Sequence, residues 1–246
     1  MSAASHSAFL EHNGFPVESS GEVHSLRIWH LPIRITHWVA SSAILVLIVT
    51  GLYIGNPYIG TTGEASAHFL MGWMRFLHFT AAAALVPMAL LRIYWLISGN
   101  RFERWPALFP VRRRDLRNFG RIFWAYLIVR PERAPRYLGH NPLQQVSYTV
   151  FYAVAIVEVL TGFAQYGLSN TGGLIYALFS WVVVVLGDWQ TVRLLHHLLA
   201  WVFVLFIPVH VYLVIRATML DQDGEMLAIF TGTRLVGRDA TFEDDG

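Results

Sequence analysis

The chain has 246 residues, of which 55% are apolar and only 14% charged, with a mean hydropathy of +0.46; soluble domains do not reach these values and membrane proteins do. It contains no cysteine, which excludes disulfides, zinc–thiolate sites, iron–sulfur clusters, covalently attached c-type haem and thiol catalysis together. The net charge is only +2 and all eighteen basic residues are arginine, so their placement says more than their sum.

Residues 1–26 are polar, with neither a basic n-region nor an apolar h-region, and are expected to form a cytoplasmic tail with no cleavable signal. A first membrane span is expected over about residues 36–55: from His37 to Ile54 the chain carries no charge, enough for a hydrocarbon core of roughly 30 Å. A second is expected over about 70–97, its helix beginning near Ala67 and its membrane boundary near Arg75. Next, Leu116–Val129 interleaves Arg117 and Arg121 with Phe119, Phe123, Trp124 and Tyr126, the mix of a helix lying in the headgroup plane. A third span covers about 146–168. The apolar run Gly173–Leu186 would be roughly 21 Å long as a helix, too short to cross, and is assigned to the interface. A fourth span covers about 193–216 and tolerates Pro208 because neighbouring helices satisfy the freed carbonyl. The expected fold is therefore an all-α membrane protein, a four-helix transmembrane bundle over residues 27–217 with short interfacial helices and a cytoplasmic tail over 218–246.

The arginines set the orientation. Ten of them, from Arg101 to Arg136, fall between Ser98 and Pro142, while the segments Gly55–Gly72 and Gly167–Val192 hold none. The arginine-rich side is expected to be cytoplasmic, with both termini on it, and Arg75 and Arg193 at the opposite face.

Chemistry is expected at the histidines, because an imidazole inside a span is costly and needs a partner. His196 and His210 on the fourth span are fourteen residues apart, which leaves them about 40° apart in azimuth and roughly 21 Å apart along the axis. His197 is about 140° from His210, the poorer candidate. His37 begins span one at the cytoplasmic depth and His78 lies near the outer end of span two, so the pairs are His37 with His210 and His78 with His196. Two stacked His–His pairs across a four-helix bundle suit two low-spin b haems, whose six-coordinate irons pass electrons. Arg34, Arg75 and Arg193 each stand three residues before a proposed ligand, one turn toward water, where haem propionates need cations; Arg92 and Arg216 are further candidates for the inner haem. Gly51 and Gly162, each in a Thr-Gly pair, either admit a porphyrin plane or serve helix packing.

Other readings are weighed against this one. A histidine-lined zinc or copper transporter is the rival class, but such a pathway usually adds carboxylates, and Glu158 stands alone. That residue is either a protonated carboxyl hydrogen-bonded to a neighbour, the favoured reading, or part of a proton route. His6, His12, His24, His30 and His68 read as solvent or interface residues, and the tryptophans and tyrosines as interface belts. Nothing points to nucleic acid.

Two motifs carry a family resemblance. Arg34-Ile35-Thr36-His37-Trp38 with Thr50-Gly51 in span one, and His196-His197-Leu198 followed by Trp201, Phe203, Phe206 and His210 in span four, resemble the b-type cytochrome subunit of membrane-bound nickel–iron uptake hydrogenases. Gly139-His140-Asn141-Pro142 and Gly63-Glu64-Ala65-Ser66-Ala67 are similar to that family too, so the likeness runs from about Ile28 to Arg216. The gamma subunit of formate dehydrogenase shares the four-helix di-haem plan and is the runner-up; a ferric-reductase-type cytochrome is further off.

The resemblance implies a relay in the bacterial inner membrane: hydrogenase small and large subunits oxidise H2 in the periplasm, an iron–sulfur cluster hands electrons to the outer haem, and they cross to the inner haem and on to quinone. No hydrogenase centre is in this chain. Quinone is expected beside His140 and Asn141 at the cytoplasmic end; the competing reading is that Asn141-Pro142 only breaks the chain before span three and His140 is solvated.

Overall fold

The computed structural model describes residues 23–60, 69–128, 134–221, 225–237 and 241–244. Residues 1–22, the Gly63–Ala67 element, His68, Arg130, Arg133 and Arg238 lie outside them, and with them the expectations for His6 and His12.

Among the described residues, four helices are long and apolar enough to cross a membrane: α1 (Leu31–Gly55), α2 (Leu70–Ser98), α5 (Pro142–Gly167) and α8 (Trp189–Asp221). Their outward side chains are apolar, with Val49, Leu90, Ile97 and Leu205 more than half exposed, a surface that only lipid solvates without cost. α1 packs along α2, α5 along α8, and α8 closes onto α1. Pro87 and Pro208 both sit inside helices.

The helices begin earlier than the apolar runs suggest, for local reasons. Pro32 presets the first turn of α1, which carries His37 more than a turn into the helix. Asn141 caps α5: its side-chain oxygen accepts from Gln144 N at 3.0 Å while Gln144 Oε1 accepts from Asn141 N at 2.9 Å, a reciprocal capping box. Asp188 Oδ1 accepts from Thr191 N at 2.7 Å at the start of α8, and that backbone N–H, followed by the opposing effect of desolvation, holds the carboxyl below its usual range. α8 has 33 residues, about 50 Å of helix, so it projects beyond a hydrocarbon core of roughly 30 Å.

One end of the bundle carries a folded layer to which the described parts of both expected tails contribute. Strands β1 (Val23–Arg27) and β2 (Thr233–Gly237) pair antiparallel, Leu26 opposite Arg234. Beneath them Ile28, Phe102 and Leu138 form a small core joined by Leu26, Trp29, Val236 and Phe242. Gly232 ends α9 (Glu225–Thr231) at φ +88°, and its carbonyl accepts from Ile28 N at 2.8 Å and Trp29 N at 3.1 Å; a side chain there would also meet the Trp29 carbonyl at 2.6 Å, so glycine is needed twice over. Glu103, fully buried, accepts from His30 N, His30 Nδ1, Trp95 Nε1 and Asn100 N at 2.6, 2.8, 3.0 and 3.0 Å. Burial alone would push this carboxyl up; the bonds from His30, Asn100 and Trp95 outweigh it and hold the group below its ordinary value. Asp244 accepts from Leu138 N and Gly139 N at 2.7 and 2.8 Å, and Arg234 donates to the Leu138 carbonyl at 2.7 Å. The arginine-rich segment and the described parts of both terminal regions thus share one end.

After the four-residue helix α3 (Trp105–Leu108), α4 (Arg113–Leu127) lies at this end with inverted polarity. Asp115, Asn118, Ile122 and Ala125 face inward, while Leu116, Phe123, Trp124 and Leu127 are exposed, the pattern of a helix whose outer face meets lipid. At the opposite end the run Gly173–Leu186 forms two short helices, α6 (Leu174–Phe179) and α7 (Trp181–Leu186). They are pinned by Ala164, Val182 and Val192.

Candidate functional site

The four expected histidines fall into two neighbouring pairs inside the bundle. His37 of α1 lies within electrostatic reach of His210 of α8, and His78 of α2 within reach of His196 of α8. Helical phase explains this: His196 and His210 share a face of α8, and α1 and α2 bring one histidine to each depth.

The surroundings of the two pairs differ. At His78, Nδ1 lies 2.9 Å from Thr50 Oγ1, and Thr50 donates its single hydroxyl proton to the Val46 carbonyl at 2.6 Å. The hydroxyl must therefore accept, so Nδ1 carries the hydrogen and Nε2 is left with its lone pair. His196 repeats the arrangement: Nδ1 is 2.9 Å from Thr161 Oγ1, which donates to the Val157 carbonyl at 2.7 Å. In both places the next residue is glycine, and a Cβ on Gly51 or Gly162 would stand 3.2 Å from the ring carbon Cε1 of His78 or His196. Each Thr-Gly pair is a bed for an imidazole, so the space freed by the glycine is taken by a ring.

His196 has a further partner, Glu158 Oε2 at 2.6 Å from Nδ1. His197 turns elsewhere: a Cβ on Gly55 of α1 would come within 2.8 Å of its Cε1, so the adjacent histidines split between α5 and α1. In the second pair, His210 stacks on Phe206 at 5.5 Å and His37 meets Trp38 edge-on at 5.1 Å. His37 Nδ1 is buried with no hydrogen-bond partner.

These residues fit axial ligation of haem. Bis-imidazole ligation needs paired neutral rings with a bare nitrogen, which the threonines supply at His78 and His196, and the buried Arg34 Nε, also without a partner, suits a propionate. Among the described residues no three His, Asp or Glu side chains gather to hold a metal ion. Of the other arginines, Arg92 donates to the Glu103 carbonyl at 3.2 Å and to Tyr152 Oη at 3.4 Å, Arg75 and Arg193 are exposed, and Arg216 is half-buried. His140 sits between Trp29 and Tyr148, ring centroids 4.9 and 5.0 Å away, with Nδ1 unpaired. Burial, with the Arg92 charge adding to it, pushes this imidazole down to about 3.

Residues 28–232 match the family of prokaryotic cytochrome b561. The chain belongs to that family. As a prokaryotic cytochrome b561 it is a multi-pass membrane cytochrome with b-type haem. Relatives named probable Ni/Fe-hydrogenase B-type cytochrome subunit include one from Cupriavidus necator, 37% identical over 93% of this chain and 92% of that protein, and one from Azotobacter vinelandii, 37% identical over 89% of each. A probable Ni/Fe-hydrogenase 1 B-type cytochrome subunit from Escherichia coli is 30% identical over 88% of this chain and 94% of that protein.

Sequence reasoning missed Thr50 and Thr161 as partners of the histidines; it expected a neighbour for Glu158 but did not identify it as His196. The one signal for the threonines is the Thr-Gly doublet, which occurs at the same depth relation in two different spans.

Proposed function

We propose that this cytochrome takes electrons from a nickel–iron hydrogenase at the membrane end bearing His78 and His196 and delivers them to quinone at the arginine-rich end. The observation that carries the reading is the pair of histidines on one face of α8, fourteen residues apart, each neighboured by a histidine from another helix. His78 with His196, and His37 with His210, are the proposed axial ligands of two b haems, and Arg34, Arg75, Arg92, Arg193 and Arg216 the candidate propionate partners. The haems would supply one-electron transfer; the protein supplies ligands roughly 21 Å apart along α8 and a membrane anchor. The names of the relatives support a nickel–iron hydrogenase as the donor, and its small and large subunits are the proposed partners. The arginine distribution supports a cytoplasmic location for the end that carries both termini, in the inner membrane, and a periplasmic location for the other.

At the quinone end, the half-buried, neutral His140, whose Nδ1 is unpaired, is the group proposed to meet the quinone oxygen. Asn141 spends its side-chain oxygen on the cap of α5, so its part is to hold His140 in place. Difference spectra of native membranes test the reading. H2 should reduce both haems, formate should not, and added quinone should reoxidise them; replacing His140 with alanine should slow only the reoxidation. Reduction by formate, or by neither donor, overturns the hydrogenase assignment.

A further inference from the structure

Among the proposed ligands, Nδ1 surroundings are defined for His37, His78 and His196, and of these three only His196 faces a carboxylate. His37 Nδ1 is buried and unpartnered, His78 Nδ1 has the Thr50 hydroxyl at 2.9 Å, and His196 Nδ1 has both the Thr161 hydroxyl at 2.9 Å and Glu158 Oε2 at 2.6 Å. Thr161 gives its own proton to the Val157 carbonyl at 2.7 Å, so both oxygens converge as acceptors on one N–H. The Glu158 side chain is 13% exposed and its other oxygen, Oε1, is buried with no hydrogen-bond partner. The carboxylate is thus aimed at His196.

We infer that Glu158 is a positioning residue for His196, and that by drawing on the Nδ1 hydrogen it makes Nε2 a stronger donor and lowers the reduction potential of the haem held by His78 and His196. The inference rests on the proposed ligation by His196. A hydrogen bond to an ionised acceptor is about twice as strong as one to a neutral oxygen, and a carboxylate behind a metal-bound imidazole raises its basicity. A more basic ligand and a nearby negative charge both favour the ferric over the ferrous state, and hydrogen bonding around the ligand is one of the levers a protein has on haem potential. The partner pair has no such group at His37. The graded environment, carboxylate at one depth and bare nitrogen at the other, makes electron transfer from the His78/His196 haem toward the His37/His210 haem downhill. It also explains why a lone acidic residue is kept inside a span where a glutamine would satisfy the same hydrogen bond.

Potentiometric titration of the full-length, haem-loaded chain, followed in the optical α band and by low-temperature electron paramagnetic resonance, tests this. The His196-ligated haem is identified as the one lost in His196→Ala. In Glu158→Gln that haem should become easier to reduce by at least tenfold in its one-electron equilibrium, about 59 mV, while the other stays in place. Two bound haems with unchanged potentials would overturn the inference and leave the ligation reading intact. Thr161→Val removes the competing acceptor and should shift the same haem in the opposite direction. If Glu158→Gln loses a haem, this second variant decides: a downward shift supports the role of Glu158, and no shift or an upward one overturns it. Retention of two haems by His196→Ala would overturn the ligation reading and this inference with it.

Discussion

Thr50 holds the ring of His78 through Nδ1 at 2.9 Å while donating its own proton to Val46, so one hydroxyl fixes both the tautomer and the direction of an imidazole on another helix. Loss of that bond should act on ligation more than on folding. Thr50→Val removes a hydrogen bond worth about 1 kcal/mol of stability, and the chain should still assemble, whereas affinity for the haem at His78 should fall on the order of 10- to 100-fold, the usual cost of removing such a supporting group. Haem titration of the apo-variant measures this; unchanged affinity would show that His78 needs no such support.

The adjacent histidines of α8 give a sharper test. His196 shares a face with His210 and lies in the Thr161-Gly162 bed, whereas His197 packs toward Gly55. His196→Ala should therefore release one haem per chain and His197→Ala none. The reverse outcome would contradict the helical-phase argument.

Much of this arrangement is legible in the sequence, and the reason is periodicity. The four spans and the azimuths of His196 and His210 follow from apolar length and about 100° per residue. The cross-helix partners do not: which residue of α1 faces His78 depends on how two helices are rotated about their axes, so Thr50 and Thr161 showed only as doublets with glycine. Glu158 was visible as a lone acid, favoured as hydrogen-bonded to a neighbour, but the neighbour was hidden. The ribbon of β1 and β2 joins five-residue strands some two hundred positions apart, and Glu103 draws donors from His30, Trp95 and Asn100; neither has a local pattern to read.

Topology is testable without purification. The β1–β2 pairing brings the described ends of the chain together at the arginine-rich end, and the positive-inside rule predicts a cytoplasmic location for it. A reporter active only in the periplasm should work when fused near Gly60 or Gly172 and fail after Pro110. Activity at Pro110 would invert the orientation and exchange the donor and quinone ends.

His140 should leave a pH signature. Its imidazole is held at about 3 in the folded chain against an ordinary 6.5, so between those values the unfolded chain binds a proton that the folded chain does not. Stability from this group is complete above about 6.5 and is lost as pH falls, by at most about 1.4 kcal/mol per unit. Melting in detergent at about pH 7 and about pH 5 should show a smaller drop for His140→Phe than for the native chain. Equal drops would mean that the ring is not held neutral by its burial between Trp29 and Tyr148.

The proposed binding of two haems by two histidine pairs is tested most directly by the haem content of the purified chain, by reduced-minus-oxidised spectrum and acid extraction, in the native form and in His210→Ala. The native chain should yield two extractable b haems and the variant one, the survivor being the haem at His78 and His196. No haem, or an undiminished pair of haems in His210→Ala, would contradict the pairing.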